Sequence, residues 1–228
     1  MSPDLIADSS QLTAKGRATR LRIVTAAAAL VFERGVSGTS LDDVKAKADV
    51  SSSQLYHYFA DKGALVSAVI AHQVDAVLSG QEPYLSKLDS MAALRSWRDA
   101  IVRIRRDLKC QGGCPIGSLA SELGESDAEL RGEAAAGFQR WEGSIRSGLA
   151  VMKERGELRT DANVHALATG ILASAQGGIL LTQAYRTTKP LEAALDAMLD
   201  HVASFLITPE KRGARATSSK RKRRPKSP

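Results

Sequence analysis

The chain has 228 residues, of which 43% are hydrophobic and 25% charged, so it holds enough apolar material for a packed core. Aromatic residues make up only 4%, and the low share of glycine and proline disfavours a β-sandwich, a β-barrel or a fibrous repeat. The formal net charge of +7 is uneven, because residues 209–228 hold nine Lys and Arg against one acid and the remaining residues carry a charge of −1.

The leading and cysteine-bearing segments predict a cytoplasmic protein. The first twenty residues lack the apolar core of a secretory signal. No apolar run approaches the ~18 residues that a membrane span needs. Two cysteines, Cys110 and Cys114, are too few for a disulfide scaffold. They have no second Cys/His pair at ligand spacing, so no metal or other cofactor is expected. A thiol switch remains the alternative to two thiols without a role.

Helical signals run in chain order after a flexible leader, residues 1–17. Ile23, Ala27 and Leu30 fall on one helical face, and Gly35 ends that helix. Further helices are predicted at Leu41–Ala48, from Ser51, Asp61 to about Leu78, about Ser90–Lys109, Pro115–Leu123, about Asp127–Arg155, about Asp161–Arg186 and about Leu191–Ile207. No segment alternates long enough for a sheet, so we expect an all-α protein of about nine helices with a C-terminal bundle.

The second and third helices have the features of a helix-turn-helix. Ser51 and Gln54 form a capping box at the start of the third helix, three residues after Ala48. An apolar core should fix the crossing of the two helices, so that the third presents its other face to a major groove. The members of that core are Ile23, Leu30, Phe32, Leu41, Val44, Ala48, Val50, Leu55 and Phe59. A packed helical hairpin without a ligand is the alternative.

Residues 23–66 resemble the DNA-binding domain of TetR/AcrR-family repressors, most clearly in Thr39–Val44 and Val50–Lys62. The resemblance implies an all-helical homodimer with a C-terminal effector domain. Together with the polar groups at the helix starts, it implies DNA contacts at Thr39, Ser40, Ser51, Ser52, Ser53, Gln54, Tyr56, His57, Tyr58 and Lys62. Gln54 could make a bidentate contact to adenine. The predicted domains are 18–64 for DNA binding, 65–208 for effector binding and dimerisation, and 209–228 as a disordered basic tail.

Residues 113–123 are similar to a string in the lincomycin-resistance-type branch of the same family, which is associated with drug-like or flavonoid-like effectors. An effector site between bundle helices should be apolar with a few polar groups. The candidate lining residues are Trp97, Ile101, Ile104, Ile116, Leu119, Phe138, Trp141, Ile145 and Gln176. The alternative is that each of these is an ordinary core residue.

The last two helices carry apolar stripes that exceed what one helical pair can cover, which predicts a four-helix interface between two subunits. The candidate interface residues are Leu167, Ile171, Ala175, Leu195, Met198, Leu199, Val202 and Phe205. The alternative is an intrachain core.

These features predict a transcriptional regulator, and more specifically a repressor that a small apolar or aromatic effector releases from a palindromic operator. The partners are double-stranded DNA, the effector and a second copy of the chain. A helical enzyme is one rival, although no nucleophile–base pair, phosphate loop or metal set stands out. A nonspecific DNA-coating protein driven by the basic tail is the other. The tail either adds salt-dependent affinity for DNA or only solubilises the chain.

Overall fold

The computed structural model describes residues 12–124 and 127–207. These residues form nine α-helices, one short 3-10 helix at Leu85–Lys87 and no β-strand, which confirms the predicted all-α class. The helices are α1 Ala14–Arg34, α2 Leu41–Ala48, α3 Ser52–Tyr58, α4 Lys62–Ser79, α5 Met91–Asp107, α6 Pro115–Leu123, α7 Ala128–Glu154, α8 Val164–Tyr185 and α9 Lys189–Ala203. The predicted basic tail and most of the predicted leader lie outside the described residues.

Capping side chains set several helix ends at residues that differ from the predicted ones. Thr13 accepts a hydrogen bond from the N–H of Gly16, so α1 begins at Ala14 and takes in the end of the predicted leader. Asn163 accepts from the first N–H groups of α8 and starts that helix at Val164 rather than near Asp161. The 3-10 helix was not predicted, because its three residues are too few to show a period.

The chain divides into two compact units. The first combines Met1–Gly80 with Gly112–Arg140, and the second combines Gln81–Gln111 with Trp141–Pro228. In the first unit α1 packs on α2 and α4, and α6 packs on α4. This unit therefore extends beyond the predicted domain boundary after residue 64, because α4 and α6 share its core. Helix α7 begins in the first unit and ends in the second.

The core of the first unit contains most of the apolar residues predicted for it. Ile23, Leu30, Val44, Ala48, Leu55 and Phe59 are buried, and Leu41 and Val50 are partly buried. The prediction was wrong for Phe32, which is 47% exposed and has its ring beside Gly112. Phe32 follows the buried Leu30 by two residues, and two residues turn a helix by more than half a circle. The side chain therefore points away from the core that Leu30 enters.

In the second unit α8 packs along α9, and α5 also packs on α9. Helix α8 is long and apolar enough to cross a bilayer by length and composition, which corrects the expectation that no segment would be. Its Leu167 and Ile171 are buried in the unit, as in a core helix. Arg98 on α5 forms a bidentate ion pair with Asp196 on α9, with N–O distances of 2.8 and 2.6 Å. This pair lies near the middle of both helices, between the ion pairs of Arg95 with Asp200 and of Arg106 with Glu192.

Candidate DNA-binding site

Side-chain caps define the two short helices of the candidate site. Ser40 accepts from the N–H of Asp43 at 3.1 Å, and the Asp43 carboxylate accepts from the backbone and hydroxyl of Ser40. Ser51 and Gln54 repeat this arrangement at the start of α3. Each cap satisfies backbone groups that a short helix cannot satisfy internally, and is worth about 1 kcal/mol. The sequence therefore encodes the start of both helices.

The turn between α2 and α3 needs one residue in the left-handed region. Asp49 has φ of 50° and ψ of 59°, and its N–H donates to the carbonyl groups of Ala46 and Lys45. Asp tolerates this conformation better than most residues because its short polar side chain can bond locally. The tight turn sets the angle at which α3 leaves α2.

Helix α3 has one buried side and one open side. Leu55 and the following Phe59 are fully or almost fully buried, and they anchor the helix to the core. Tyr56 is 56% exposed, and His57 beside it is also exposed. The other exposed residues of this face are Ser52, Ser53 and Gln54. A helix that is anchored on one side and polar on the other has the form that a DNA major groove admits.

One predicted DNA contact, Thr39, needs correction, and a second, Gln54, stays a prediction although its side chain is engaged in a cap. Thr39 is only 4% exposed and its hydroxyl donates to the carbonyl oxygen of Gly35 at 2.7 Å, so it braces the loop before α2 instead of facing a ligand. The amide oxygen of Gln54 accepts from the N–H of Ser51 at 2.9 Å. A bidentate contact to adenine needs that oxygen as well as the amide nitrogen, so it would require the capping box to open.

The other predicted contacts lie at or next to the open side. Ser52 accepts from the ammonium group of Lys45 at 2.8 Å, and Lys45 also pairs with Asp42. Tyr58 is partly buried and meets His57 edge-on, with ring centroids 4.8 Å apart. Lys62 is the first residue of α4, whose N-terminus is capped by Asp61. Ser40 and Ser51 are exposed N-cap residues.

Two cations of α1 lie beside the ends of α2 and α3, and neither was predicted as part of the site. The guanidinium of Arg20 lies 5.1 Å from the centre of the Phe59 ring. Arg22 donates to the carbonyl oxygen of Ala48 at 2.9 Å, at the end of α2. A methyl group added to Gly16 of α1 would lie 3.5 Å from the hydroxyl oxygen of Tyr58. The sequence held a signal for these cations, because four basic residues follow one another closely in α1: Lys15, Arg17, Arg20 and Arg22.

The candidate effector residues divide between the two compact units. Ile116, Leu119 and Phe138 belong to the first unit, and Trp97, Ile101, Ile104, Trp141, Ile145 and Gln176 belong to the second. The indole N–H of Trp97 donates to the amide oxygen of Gln81 at 2.9 Å, so Trp97 is a satisfied core residue. Within the described residues, the indole nitrogen of Trp141 and the amide nitrogen of Gln176 are buried without a hydrogen-bond partner.

The predicted dimer residues are mostly part of the chain's own core. Leu167, Ile171, Ala175, Leu195, Leu199 and Val202 are buried within the single chain. Met198 packs against Gly170, and Phe205 lies edge-on to His201 and under the guanidinium of Arg159. The interface prediction needs correction for the six buried residues, because a side chain buried between α8 and its neighbours offers no surface to a partner. The intrachain alternative accounts for them.

Cys110 and Cys114 are both buried, and the thiol switch stays a prediction. Across residues 12–124 and 127–207, no three His, Cys, Asp or Glu side chains are grouped as metal ligands.

Comparisons with known proteins agree with this geometry. A family model described as bacterial regulatory proteins of the tetR family matches residues 23–69, and one described as a tetracyclin repressor-like C-terminal domain matches residues 90–198. An uncharacterised HTH-type regulator in the lacX 3′ region of Lactococcus lactis subsp. lactis is 28% identical over 80% of this chain and 92% of its own length. The HTH-type transcriptional repressor DhaR of Mycobacterium sp. strain GP1 is 27% identical over 79% of this chain and 90% of its own.

Solved structures match over most of the fold. A TetR transcriptional regulator from Chloroflexus aurantiacus has a TM-score of 0.72 and 25% identity, and covers 85% of this chain and 98% of its own. The regulatory protein TetR from Rhodobacter sphaeroides has a TM-score of 0.69 and 21% identity, with 80% and 98% covered. The relatives are regulators, so the enzyme alternative is rejected. The two family models together match most of the chain, which belongs to the TetR family of DNA-binding transcriptional regulators.

Proposed function

We propose that the protein is a cytoplasmic repressor that binds a near-palindromic operator as a homodimer. The observation that supports this most directly is the outward face of α3, where Tyr56 and His57 are exposed while Leu55 is buried. Two such helices, related by a two-fold axis, would enter successive major grooves about one helical turn apart, ~34 Å. The N-termini of α2 and α4, at Ser40 and Lys62, would meet phosphates on either side.

The exposed face of α8 is the proposed dimer surface. Small and apolar residues recur along it at helical spacing, at Ala166, Ala173, Gly177, Leu180 and Ala184. Leu180 is 64% exposed, and a methyl group added to Gly177 would meet no atom within 4 Å. A contiguous apolar face on a soluble chain marks an association site, and small residues let a partner helix approach closely.

The dimer surface is tested by the mass of the particle in solution. Sedimentation equilibrium should give a dimer for the unmodified chain and for Leu108→Arg, which changes an exposed leucine of the same unit. Leu180→Arg should give a monomer, because its charge would be buried in the interface without a partner. A Leu180→Arg protein that remains fully dimeric would move the interface to another face.

A small apolar or aromatic effector is proposed to bind in the C-terminal part. Trp141 and Gln176 are the preferred polar contacts, because each has a buried nitrogen without a partner in the described residues. A buried polar group without a hydrogen bond costs free energy that a ligand would recover. Since Trp97 is already satisfied by Gln81, we expect Trp97→Phe to affect stability, and Trp141→Phe to affect effector response.

The function is tested by selecting bound fragments from genomic DNA with the purified protein. Recovery of one near-palindromic sequence would support the proposal, and enrichment should be lost in Tyr56→Ala. Fragments recovered without any common sequence would favour the tail-driven DNA-coating alternative. The genes next to the recovered operator would then guide the choice of effectors, and an effector should change operator affinity only if it binds the two states differently.

A further inference from the structure

A carboxylate on α6 binds the loop that leads into the helix-turn-helix. The N–H of Val36 donates to one carboxylate oxygen of Glu122 at 2.8 Å, and the N–H of Ser37 donates to the other at 2.9 Å. These donors lie in the loop between α1 and α2, about 85 residues from Glu122 along the chain. We name this bidentate contact the Glu122 clamp. All of its members belong to the first compact unit.

The loop is shaped to receive the carboxylate. Gly35 ends α1 with φ of 76°, a value that side chains rarely adopt, and its N–H donates to the carbonyl oxygen of Val31. A methyl group added to Gly35 would lie 2.9 Å from both carboxylate oxygens of Glu122. Glycine therefore serves two purposes, because it turns the chain and leaves room for the clamp.

The same loop sets the start of α2. The hydroxyl of Thr39 donates to the carbonyl oxygen of Gly35, which ties the two ends of the loop together. Ser40, the next residue, is the N-cap of α2 and a candidate phosphate contact. A shift of the loop would therefore move the N-terminus of α2 against the rest of the site.

The charge of Glu122 favours the two hydrogen bonds of the Glu122 clamp. Partial burial raises the pKa of its carboxyl, but the N–H groups of Ser37 and Val36, the Ser37 hydroxyl and the charge of Lys62 outweigh that effect. The net pKa lies below its ordinary value, so the carboxylate is ionised at neutral pH.

We propose that Glu122 is a positioning residue for DNA binding, which holds the α1–α2 loop and thereby the N-terminus of α2 in the binding geometry. The inference rests on the proposed operator binding, since it concerns how the reading elements are held.

A substitution of Glu122 should change DNA affinity in opposite directions for a positioning role and for a purely electrostatic one. Glu122 is an acid close to Lys62 and to the candidate phosphate contacts, so its charge by itself repels a polyanion. Removal of that charge alone would tighten DNA binding. Loss of the Glu122 clamp would weaken it, because the free loop must be ordered on binding.

The experiment compares Glu122→Gln with Glu129→Gln, which removes an exposed acid from the first turn of α7 in the same unit. Operator affinity is measured on the fragment selected by the unmodified protein, with folding checked by circular dichroism. We expect Glu122→Gln to bind about five- to tenfold more weakly, since hydrogen bonds to a charged acceptor are lost. Glu129→Gln should bind as tightly as the unmodified protein or more tightly. Equal or tighter binding by Glu122→Gln would overturn the proposal.

Two further measurements keep the test decisive. Glu122→Asp preserves the charge but shortens the side chain by one methylene group, so it should also weaken operator binding, because the carboxylate no longer reaches both amides. Hydrogen exchange at the amides of Val36 and Ser37 should accelerate in both Glu122 variants and not in Glu129→Gln. Unchanged exchange at both amides would show that the clamp is absent in solution and would overturn the proposal. An unmodified protein that selects no operator would contradict the proposed function, whereas the exchange data test the clamp separately.

Discussion

Tyr56 is the residue whose side chain is most clearly free to reach DNA. More than half of it is exposed, although its neighbour Leu55 is buried. Its phenol group can contact a phosphate and its ring can contact a thymine methyl group. Ser40, Ser51, Ser52 and Gln54, in contrast, already use side-chain atoms in caps or in the contact with Lys45.

We therefore expect Tyr56→Ala to weaken operator binding by at least ~1 kcal/mol while the fold and the dimer persist. The affinity is measured by fluorescence anisotropy at fixed salt. Leu108→Ala, which removes an exposed apolar side chain in the second unit, is the control and should stay within ~0.5 kcal/mol. Operator affinity unchanged in Tyr56→Ala would remove this residue from the interface.

The α2 cap makes a second prediction at this scale. Hydrogen bonds from the side chain and backbone of Ser40 lower the pKa of Asp43, slight burial opposes them, and the charge of Arg34 adds to the lowering. Because the pKa is lowered in the folded state, the stabilisation is present above the unfolded pKa and is lost as the pH falls through the folded one. Carboxyl NMR should show Asp43 titrating below its ordinary value and moving upward in Ser40→Ala. Ser53→Ala, which leaves this cap intact, should not move it.

At the scale of the elements, glycines in α7 distinguish close packing from helix propensity. Gly148 lies against the backbone carbonyl of Leu88, next to the 3-10 helix, and an added methyl group would overlap that oxygen. Gly143 lies in the same helix and the same unit. A methyl group added there would have room, because the nearest atom would be the Arg146 guanidinium at 3.9 Å. The sequence does not distinguish the two glycines, whereas the structure does, because only Gly148 has a backbone atom in the place of an added methyl group.

We expect Gly148→Ala to lower the free energy of unfolding by about 1–3 kcal/mol, because the Leu88 backbone cannot move aside cheaply. Gly143→Ala should raise it by roughly 0.5–1 kcal/mol through the higher helix propensity of alanine. Urea denaturation followed by circular dichroism measures both. Equal effects in the two variants would contradict the close contact at Gly148.

At the scale of the whole molecule, the charge distribution assigns operator selection and nonspecific attraction to DNA to different parts of the chain. The basic segment 209–228 carries a charge of +8 and lies outside the described residues, while the rest of the chain is close to neutral. The side chains that are candidates for contacts to bases, in contrast, lie on the open side of α3. Specific selection and salt-dependent affinity should therefore depend on different parts of the chain.

A chain that ends at Thr208 should still select the same operator. Its log affinity should fall less steeply with log salt, by about 0.9 for each phosphate contact that the tail supplied. Both expectations are tested by measuring the affinity of the full and the shortened chain for the operator and for a scrambled fragment at several salt concentrations. Selection that disappears with the tail would show that α3 is not the reader.

The sequence by itself determined the helix-turn-helix, because the signals are local. The Ser51–Gln54 capping box, the turn residue Asp49 and the spacing of Leu55 and Phe59 all act within a dozen residues. Most helix bounds follow from the same short-range rules. Long-range packing is absent from those rules, since it depends on which faces meet once the chain is folded.

Only the tertiary structure decided how the predicted residues are used. It buried Thr39, exposed Phe32 and placed Leu195 in the intrachain core, because each position depends on the helices packed around it. It also brought Glu122 to the amides of Val36 and Ser37. No pattern in a single sequence links groups so far apart along the chain, whereas a cap or a turn is fixed by its immediate neighbours.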